Sequence, residues 1–160
     1  MVSFRIWPVR NAQDIDAAAA LFEAYGASLG VDLSFQDFAT ETATLPGKYA
    51  PPKGELLIAR DVRGRALGCV ALRPLPIAGC CEMKRLYVSP PGRGHGLGRA
   101  LVDAIIREAE RIGYREIRLD SLPTMTEAMS LYAKTGFVSI EPYYHNPVAG
   151  TVYLSKRLGA

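Results

Sequence analysis

The chain of 160 residues is poor in cysteine and has no long apolar segment. Its three cysteines are Cys69 and the adjacent Cys80 and Cys81. Adjacent cysteines strain a disulfide, and the three do not have the spacing of metal ligands, so we expect reduced, buried thiols and no metal site. The longest apolar run, 17–22, is too short to cross a bilayer, and the first residues lack the pattern of a secretory signal. The sequence thus predicts a cytoplasmic protein without a membrane segment.

A strong net charge is also missing, because 19 basic and 16 acidic residues leave a formal charge of +3. The charge is uneven, since eight basic residues and only four acidic ones lie between Lys84 and Arg118. This local excess would attract a polyanionic ligand. We do not expect a nucleic acid, because Asp103, Glu108 and Glu110 alternate with the arginines of a predicted helix and no RNA-stacking aromatic motif accompanies them.

The composition, 49% hydrophobic and 22% charged, is that of a globular protein, and the length suits one domain over residues 1–160. Apolar periodicity, capping residues and turn signals predict alternating strands and helices. In chain order we predict strand 4–9, a helix from the Asn11 cap to Gly30, a short helix 34–42, strands 55–60, 65–73 and 80–88, helix 98–112, strand 116–121, helix 124–135, and strands 137–141 and 151–158. This order indicates an α/β fold of the mixed α+β kind, with about seven strands in a mostly antiparallel sheet and helices on both faces.

The most informative segment is a glycine-rich loop between a predicted strand and a predicted helix. Gly94, Gly96 and Gly98 lack a β-carbon, so the main chain can turn sharply and bring its N–H groups against a ligand. Because a helix begins here, its unpaired amides and positive dipole end favour a phosphate, and Arg93 and Arg99 add charged donors. The order of residues matches neither a P-loop nor the Gly-x-Gly-x-x-Gly dinucleotide motif. A simple strand-to-helix connection is the alternative.

The order Arg93-x-x-Gly96-x-Gly98 resembles the acetyl-CoA loop of the GNAT superfamily of N-acetyltransferases. Leu86-x-Val88 resembles the preceding strand, whose main chain pairs with the pantetheine arm in that superfamily. Residues 128–137 are similar to its helix-to-strand signature, and residues 153–158 to its closing strand. The resemblance implies an acetyl-CoA-dependent transferase that acetylates an amine. The acetyl-CoA-binding residues expected on this basis are Leu86, Tyr87, Val88, Arg93, Gly94, His95, Gly96, Leu97, Gly98 and Arg99.

One position departs from the superfamily pattern. Many members have an asparagine that hydrogen-bonds the cofactor where this chain has Met125. A thioether cannot replace the amide donors, so we expect the main-chain contacts to persist and this one to be absent or supplied elsewhere. A catalytically silent module that binds acyl-CoA, for example as a sensor, is the alternative function.

The resemblance also implies a general acid. It places Tyr132 beside the sulfur of CoA, and a phenol with an ordinary pKa of about 10 can donate a proton to a departing thiolate. The alternative is a core tyrosine that packs beside Phe137. A main-chain N–H near Leu86 to Val88 is the expected donor to the carbonyl oxygen.

Glu82 is the expected general base, because some GNAT members place a catalytic glutamate near this position. The two-residue period of a strand predicts one common face for Glu82, Lys84, Leu86 and Val88, so a surface ion pair between Glu82 and Lys84 is an alternative. The other options for the base are a chain of water molecules, His145 and Asp120.

The acceptor is expected to be a primary amine of a small molecule, and a protein amine at an accessible terminus or lysine is the alternative. Aromatic and polar residues in a proline-rich loop and in a loop near the C-terminus suit its recognition. These predicted substrate-binding residues are Tyr49, Tyr143, Tyr144, His145 and Asn146. The sequence leaves the identity of the amine and the acyl chain length open, and it is compatible with a homodimer.

Overall fold

The computed structural model describes residues 3–159, except for the side chain of Phe35. Within that range the chain forms seven strands and four α-helices. The strands are β1 (Phe4–Pro8), β2 (Glu55–Asp61), β3 (Ala66–Pro74), β4 (Cys80–Val88), β5 (Glu116–Ser121), β6 (Val138–Ser139) and β7 (Val152–Arg157). The helices are α1 (Ala12–Leu29), α2 (Phe38–Ala43), α3 (Leu97–Ile112) and α4 (Thr126–Lys134). Short 3-10 turns occupy Ser34–Gln36, Gly47–Tyr49 and Pro90–Gly92.

All seven strands belong to one sheet with the order β1-β2-β3-β4-β5-β7-β6. Every neighbouring pair is antiparallel except β4 and β5, which are parallel because α3 crosses over between them. This confirms the predicted mixed, mostly antiparallel sheet of seven strands. The predicted strand 137–141 is shorter than expected, since β6 contains only Val138 and Ser139. Both residues are exposed at the edge of the sheet, so little apolar burial holds a longer strand there.

Helices cover both faces of the sheet, as predicted. α1 packs Ala18 and Phe22 on one face, against residues of β2 and β3 such as Ile58. α3 packs Leu101 and Ile105 on the other face, and α4 joins the same core. The predicted caps are present: the Asn11 side chain accepts a hydrogen bond from the N–H of Asp14 at 2.8 Å, and left-handed glycines follow α1 and α3.

The three cysteines are buried and unpaired, as predicted. Burial raises the pKa of Cys69 to about 12, so this thiol stays protonated at neutral pH. Burial likewise raises the pKa values of Cys80 and Cys81.

The sheet splits between β4 and β5. The two strands pair over only three positions, from Cys80 opposite Glu116 to Glu82 opposite Arg118. β4 continues to pair with β3 as far as Val88. Beyond Glu82, the edge of β4 that faces β5 therefore has no strand partner within residues 3–159, and its main chain lines a gap in the middle of the sheet.

A bulge at Arg85 interrupts β4 beside this gap. Between Lys84 and Tyr87, two residues of β4 oppose only one residue of β3. Arg85 has a left-handed φ of 61°, a conformation that costs a residue with a β-carbon about 1–2 kcal/mol. Its side chain donates from Nε and Nη2 to Glu41 at 2.7 and 3.0 Å and lies 4.9 Å from the centre of the Phe38 ring. These contacts hold the bulge in place and tie α2 to it.

The bulge makes the predicted common face of Glu82, Lys84, Leu86 and Val88 wrong. Glu82 and Lys84 lie on the face covered by α1 and α2, because they pair with β3 residues on that face. Leu86 and Val88 pack against the core under α3. The extra residue shifts every later side chain of the strand to the opposite face, which a strict two-residue period cannot anticipate.

Candidate active site

A groove of about 420 Å³ runs between the end of β4 and the start of α4. Its walls come from α1, β4, the start of α3, and α4 with the residues before it. We call it the β4–α4 groove. Its lining residues are Tyr25, Ser28, Leu86, Tyr87, Val88, Arg93, Gly98, Thr124, Met125, Thr126, Glu127, Ala128 and Leu131.

The start of α3 borders this groove. Gly94 and Gly96 have left-handed φ values of 80° and 76°, which turn the chain into the helix. The first helical hydrogen bond runs from the N–H of Ala100 to the carbonyl of Gly96. Within the described residues, the N–H groups of 97–99 donate to no backbone carbonyl, so they remain available to an anion. A β-carbon on Gly98 would lie 3.4 Å from Leu131 Cδ2 inside the groove, so glycine keeps this wall open.

Five of the predicted cofactor-binding residues line the groove: Leu86, Tyr87, Val88, Arg93 and Gly98. The structure thus brings the end of β4 and the start of α3 together, as the resemblance implies.

The other predicted cofactor residues contribute differently. The side chain of Leu97 is 1% exposed and belongs to the core, so only its main chain can contact a ligand here. Arg99 points to solvent and pairs with Asp103 at 3.3 Å, one helical turn on, instead of lining the groove. Gly94 and Gly96 are exposed and His95 is half-buried in the turn before the helix.

A second, more enclosed cavity occupies the split between β4 and β5. We call it the inner pocket. It is lined by Tyr25, Leu29, Leu33, Gln36, Met83, Lys84, Arg85, Leu86, Leu119, Asp120, Ser121, Leu122, Met125, Tyr132, Asn146 and Val148. The inner pocket and the β4–α4 groove share Tyr25, Leu86 and Met125, so these three residues form the wall between them.

Tyr132 lies on the wall of the inner pocket. Its side chain is nearly buried, and its ring meets that of Phe137 edge to face at 5.7 Å. The core contact predicted as the alternative is therefore present together with access to the pocket. Burial raises the pKa of Tyr132 above the ordinary value, so the hydroxyl is protonated at neutral pH and is a weaker acid than an exposed phenol.

Asp120 follows the part of β5 that pairs with β4, and it faces the inner pocket. Its Oδ2 accepts hydrogen bonds from the Tyr144 hydroxyl at 2.8 Å and from Asn146 Nδ2 at 3.2 Å. Lys84 Nζ lies 3.9 Å from the other oxygen, Oδ1. Two residues predicted to bind substrate, Tyr144 and Asn146, therefore position this carboxylate.

Glu82 lies behind the inner pocket and is completely buried. Its carboxylate accepts hydrogen bonds from Arg73 Nε at 2.8 Å and from the Tyr143 hydroxyl at 2.5 Å, and Lys84 Nζ is 3.9 Å away. Glu82 lines neither the inner pocket nor the groove. The ion pair between Glu82 and Lys84 that was the alternative is present at 3.9 Å, but it is buried and not on the surface, because tertiary packing covers this face of β4. As a candidate base, Asp120 is better placed than Glu82.

Tyr49 does not reach either cavity, which corrects its predicted position. It is 1% exposed and packs edge to face on Phe22, because the proline-rich loop folds onto the core under α1. His145 is exposed and lines a cleft next to the inner pocket, which we call the outer cleft. The outer cleft is lined by Gln36, Asp37, Glu41, Lys48, Arg73, Lys84, Arg85, Tyr144 and His145. Sequence reasoning missed Gln36 and Arg73, which lie on distant segments that carry no local motif.

Ion pairs neutralise much of the basic stretch 84–118. The pairs are Arg85 with Glu41, Arg99 with Asp103, Arg111 with Glu108, and Arg118 with Glu116. Among the described residues, none of the helices has the length and apolarity needed to cross a membrane.

The split sheet, the exposed helix start and the two adjoining cavities define an acyltransferase that uses an acyl-CoA. The family model described as "Acetyltransferase (GNAT) family" matches residues 18–137. The chain therefore belongs to the GNAT family of acetyltransferases, whose co-substrate is acetyl-CoA. This confirms the resemblance found in the glycine-rich loop.

Known proteins share both sequence and fold with this chain. An uncharacterised N-acetyltransferase of Schizosaccharomyces pombe is 48% identical over 146 residues, which cover 91% of this chain and 90% of that protein. A GNAT acetyltransferase structure from Staphylococcus aureus has a TM-score of 0.81 at 16% identity and covers 98% of this chain and 100% of its own. A structure from Salmonella typhimurium, solved with its cofactor acetyl-CoA, has a TM-score of 0.72 at 19% identity and covers 98% and 94%. The two solved structures share the fold.

Proposed function

We propose that the protein transfers an acetyl group from acetyl-CoA to the primary amine of a small molecule by direct attack on the thioester. The observation that carries this proposal is the shared wall of Tyr25, Leu86 and Met125 between the β4–α4 groove and the inner pocket. The two cavities adjoin at these three residues, so reactants bound in them would lie next to each other. Direct transfer is then possible, and no covalent enzyme intermediate is needed. In agreement, none of the three cysteines lines either cavity.

The residues around the groove fit acetyl-CoA. The N–H groups of residues 97–99 and the side chain of Arg93 would hold the diphosphate. The edge of β4 at residues 86–88 has no strand partner in the described chain on the side of β5, so its main chain can contact the amide groups of the pantetheine arm; the carbonyl of Val88 already accepts from Arg93 Nε at 3.1 Å. Met125 lines the groove without an amide donor, so main-chain contacts carry more of the binding. When bound, acetyl-CoA supplies the reactive acetyl thioester.

Asp120 and Tyr132 handle the protons in this proposal. The amine enters as an ammonium ion and loses one proton to Asp120, which Tyr144 and Asn146 hold towards the pocket. The neutral nitrogen then forms a bond to the acetyl carbon as the carbon–sulfur bond breaks. Tyr132 donates a proton to the departing sulfur, and the second proton of the nitrogen replaces it. The net products are the acetylated amine, a thiol and one proton.

Glu82, the base expected from the sequence, takes a positioning role in this proposal. Its contacts with Arg73 and Tyr143 are internal, and it reaches the inner pocket only through Lys84. The main-chain N–H groups at the free edge of β4 remain the proposed donors to the carbonyl oxygen.

The shape of the inner pocket supports a small-molecule acceptor. Its walls come from α1, the turn at 33–36, the two split strands and residues 146–148, which surround the space from several sides. The inner pocket has only about 40 Å³ of free space, so it would take the amine end of an acceptor, and the rest of a small molecule would extend into the adjoining cleft of about 290 Å³.

The proposal is tested by measuring thiol release from acetyl-CoA with a panel of primary amines, together with calorimetric titration of acetyl-CoA. We expect saturable binding and turnover with at least one small amine. Saturable binding without turnover of any amine would refute the proposed transfer and favour the sensor module instead.

A further inference from the structure

Lys84 lies where two cavities join. The inner pocket and the outer cleft share Gln36, Lys84 and Arg85. The outer cleft is also lined by Asp37, Glu41, Lys48, Arg73, Tyr144 and His145. An acceptor whose nitrogen lies beside Asp120 must therefore extend past Lys84 when it reaches towards the outer cleft.

The two cationic side chains at this junction, Lys84 and Arg85, differ in how many of their hydrogen-bond donors have an acceptor. Both oxygens of Glu41 accept from Arg85, so the Arg85 guanidinium is already paired. The Lys84 side chain is only 8% exposed and donates from Nζ to Gln36 Oε1 at 3.1 Å; burial lowers its pKa, so an anion that binds here would also stabilise the charged form of Lys84. The carboxylates of Glu82 and Asp120 are each 3.9 Å from its Nζ, too far for a direct hydrogen bond. Lys84 therefore keeps two N–H donors without a direct acceptor among the described residues.

Arg73, in the outer cleft, is a second cation with hydrogen-bond donors that lack an acceptor among the residues described. Its Nε donates to Glu82 at 2.8 Å, while its two terminal nitrogens make no hydrogen bond within the described part of the chain. Its side chain is 27% exposed, so a ligand can reach it. The two cations lie on the same face of the sheet, on neighbouring strands.

We infer that the acceptor is an amino acid, or a similar primary amine with a nearby carboxylate, and that Lys84 binds this carboxylate with Arg73 as a second contact. The inference rests on the proposed function, because it names the substrate class of the same pocket. The transfer itself is unchanged: the amine of the amino acid gains the acetyl group, and the sulfur leaves as a thiol.

The charges of an α-amino acid match the spacing of the protein groups. The ammonium and carboxylate of such a zwitterion are about 3 Å apart, and Lys84 Nζ and Asp120 Oδ1 are 3.9 Å apart. Glu82 and Asp120 are ion-pair partners of Lys84 at 3.9 Å, but an amine without a carboxylate would leave two N–H donors of Lys84 without a direct acceptor and place a second cation next to it. A carboxylate-bearing amine removes both penalties.

The first experiment compares matched substrates on the unmodified protein. Phenylalanine is compared with its methyl ester and with phenethylamine, and leucine with isopentylamine, in the thiol-release assay. We expect kcat/KM for at least one amino acid to exceed that of its carboxylate-free partners by about thirtyfold or more. Equal values for the acids and the plain amines would overturn the inference and leave the acetyltransferase proposal intact.

The second experiment changes Lys84. Lys84→Gln should raise KM for the preferred amino acid about thirtyfold or more, with a much smaller change for the matched plain amine. Lys84→Arg should restore part of the difference because it keeps the charge. Lys53→Gln, at an exposed lysine away from both cavities, is the matched control and should change neither KM. Equal losses for the acid and the amine in Lys84→Gln would contradict carboxylate binding.

A calorimetric measurement separates this inference from the proposed function. The preferred amino acid is titrated into protein saturated with CoA, and the matched plain amine is titrated in parallel. Heat of binding with the amino acid and not with the amine supports the site even if turnover is absent. Absence of heat with every amino acid tested, in protein that binds CoA, would overturn the inference.

Discussion

Replacement of Tyr132 by phenylalanine tests the proposed proton donor without disturbing the fold. Among the described residues the Tyr132 hydroxyl makes no hydrogen bond, and the edge-to-face contact with Phe137 needs only the ring. Removal of the hydroxyl should therefore change the free energy of unfolding by no more than about 0.5 kcal/mol. It should also leave the affinity for acetyl-CoA close to that of the unmodified protein.

Turnover should respond much more strongly. General acid catalysis contributes typically about 10²–10⁴-fold, which corresponds to about 3–5 kcal/mol of activation free energy. We therefore expect kcat of Tyr132→Phe to fall at least about a hundredfold in the thiol-release assay, with the dissociation constant for acetyl-CoA measured by calorimetry on the same sample.

Tyr114→Phe is the matched control. The Tyr114 hydroxyl donates to the carbonyl of Lys53 at 2.6 Å, away from both cavities. Its removal should lower the free energy of unfolding by about 1 kcal/mol and leave kcat unchanged. Tyr132→Phe should instead keep the stability and lose kcat. If kcat of Tyr132→Phe stays within about threefold of the unmodified protein, Tyr132 is not the proton donor.

The remaining predictions concern the base, the helix start and the bulge. Asp120→Asn keeps an oxygen that can accept from Tyr144, so it should fold normally while kcat at neutral pH falls about a hundredfold; a loss below threefold would remove Asp120 as the base. Gly96→Asp should weaken acetyl-CoA binding about a hundredfold in calorimetry, because the new carboxylate repels the diphosphate. Gly96→Asn is the control, because asparagine tolerates the left-handed φ of 76° and carries no charge. It separates charge repulsion from the effect of adding a side chain. Equal affinities of the two variants for acetyl-CoA would argue against repulsion. Glu41→Gln leaves the buried guanidinium of Arg85 without its counter-charge, so the free energy of unfolding should drop by about 3 kcal/mol and Tm by roughly 6–12 °C. A thermal shift below 2 °C in Glu41→Gln would show that the pair contributes little.

Many of the secondary-structure elements could be predicted because their signals are local. The bounds predicted for β4 and β5 are those observed, and Asn11 and Gly30 mark the ends of α1 as expected. Apolar periodicity and capping depend on residues a few positions apart, so the sequence displays them directly. The same is true of the start of α3, where glycines and the free N–H groups of one helix turn form the surface proposed to bind the diphosphate.

The faces of β4 could not be predicted, because one bulge decides them. The two-residue period holds on each side of Arg85, but the extra residue reverses it for Leu86 and Val88. The left-handed φ at Arg85 in β4 is stabilised by Glu41, which lies on helix α2. The residues next to Arg85 in the sequence do not indicate that contact.

By itself the sequence determined the family, the order of the elements and the loop that would hold the diphosphate, since these depend on main-chain groups and spacing within short segments. Tertiary structure decided which carboxylate faces the inner pocket. It buried Glu82 behind Lys84, withdrew Tyr49 into the core and brought Asp120, Gln36 and Lys84 to one pocket from three separate segments. Side chains so far apart in the chain meet at this pocket because β4 and β5 pair only as far as Glu82 and separate beyond it, a feature that no short segment of the sequence encodes.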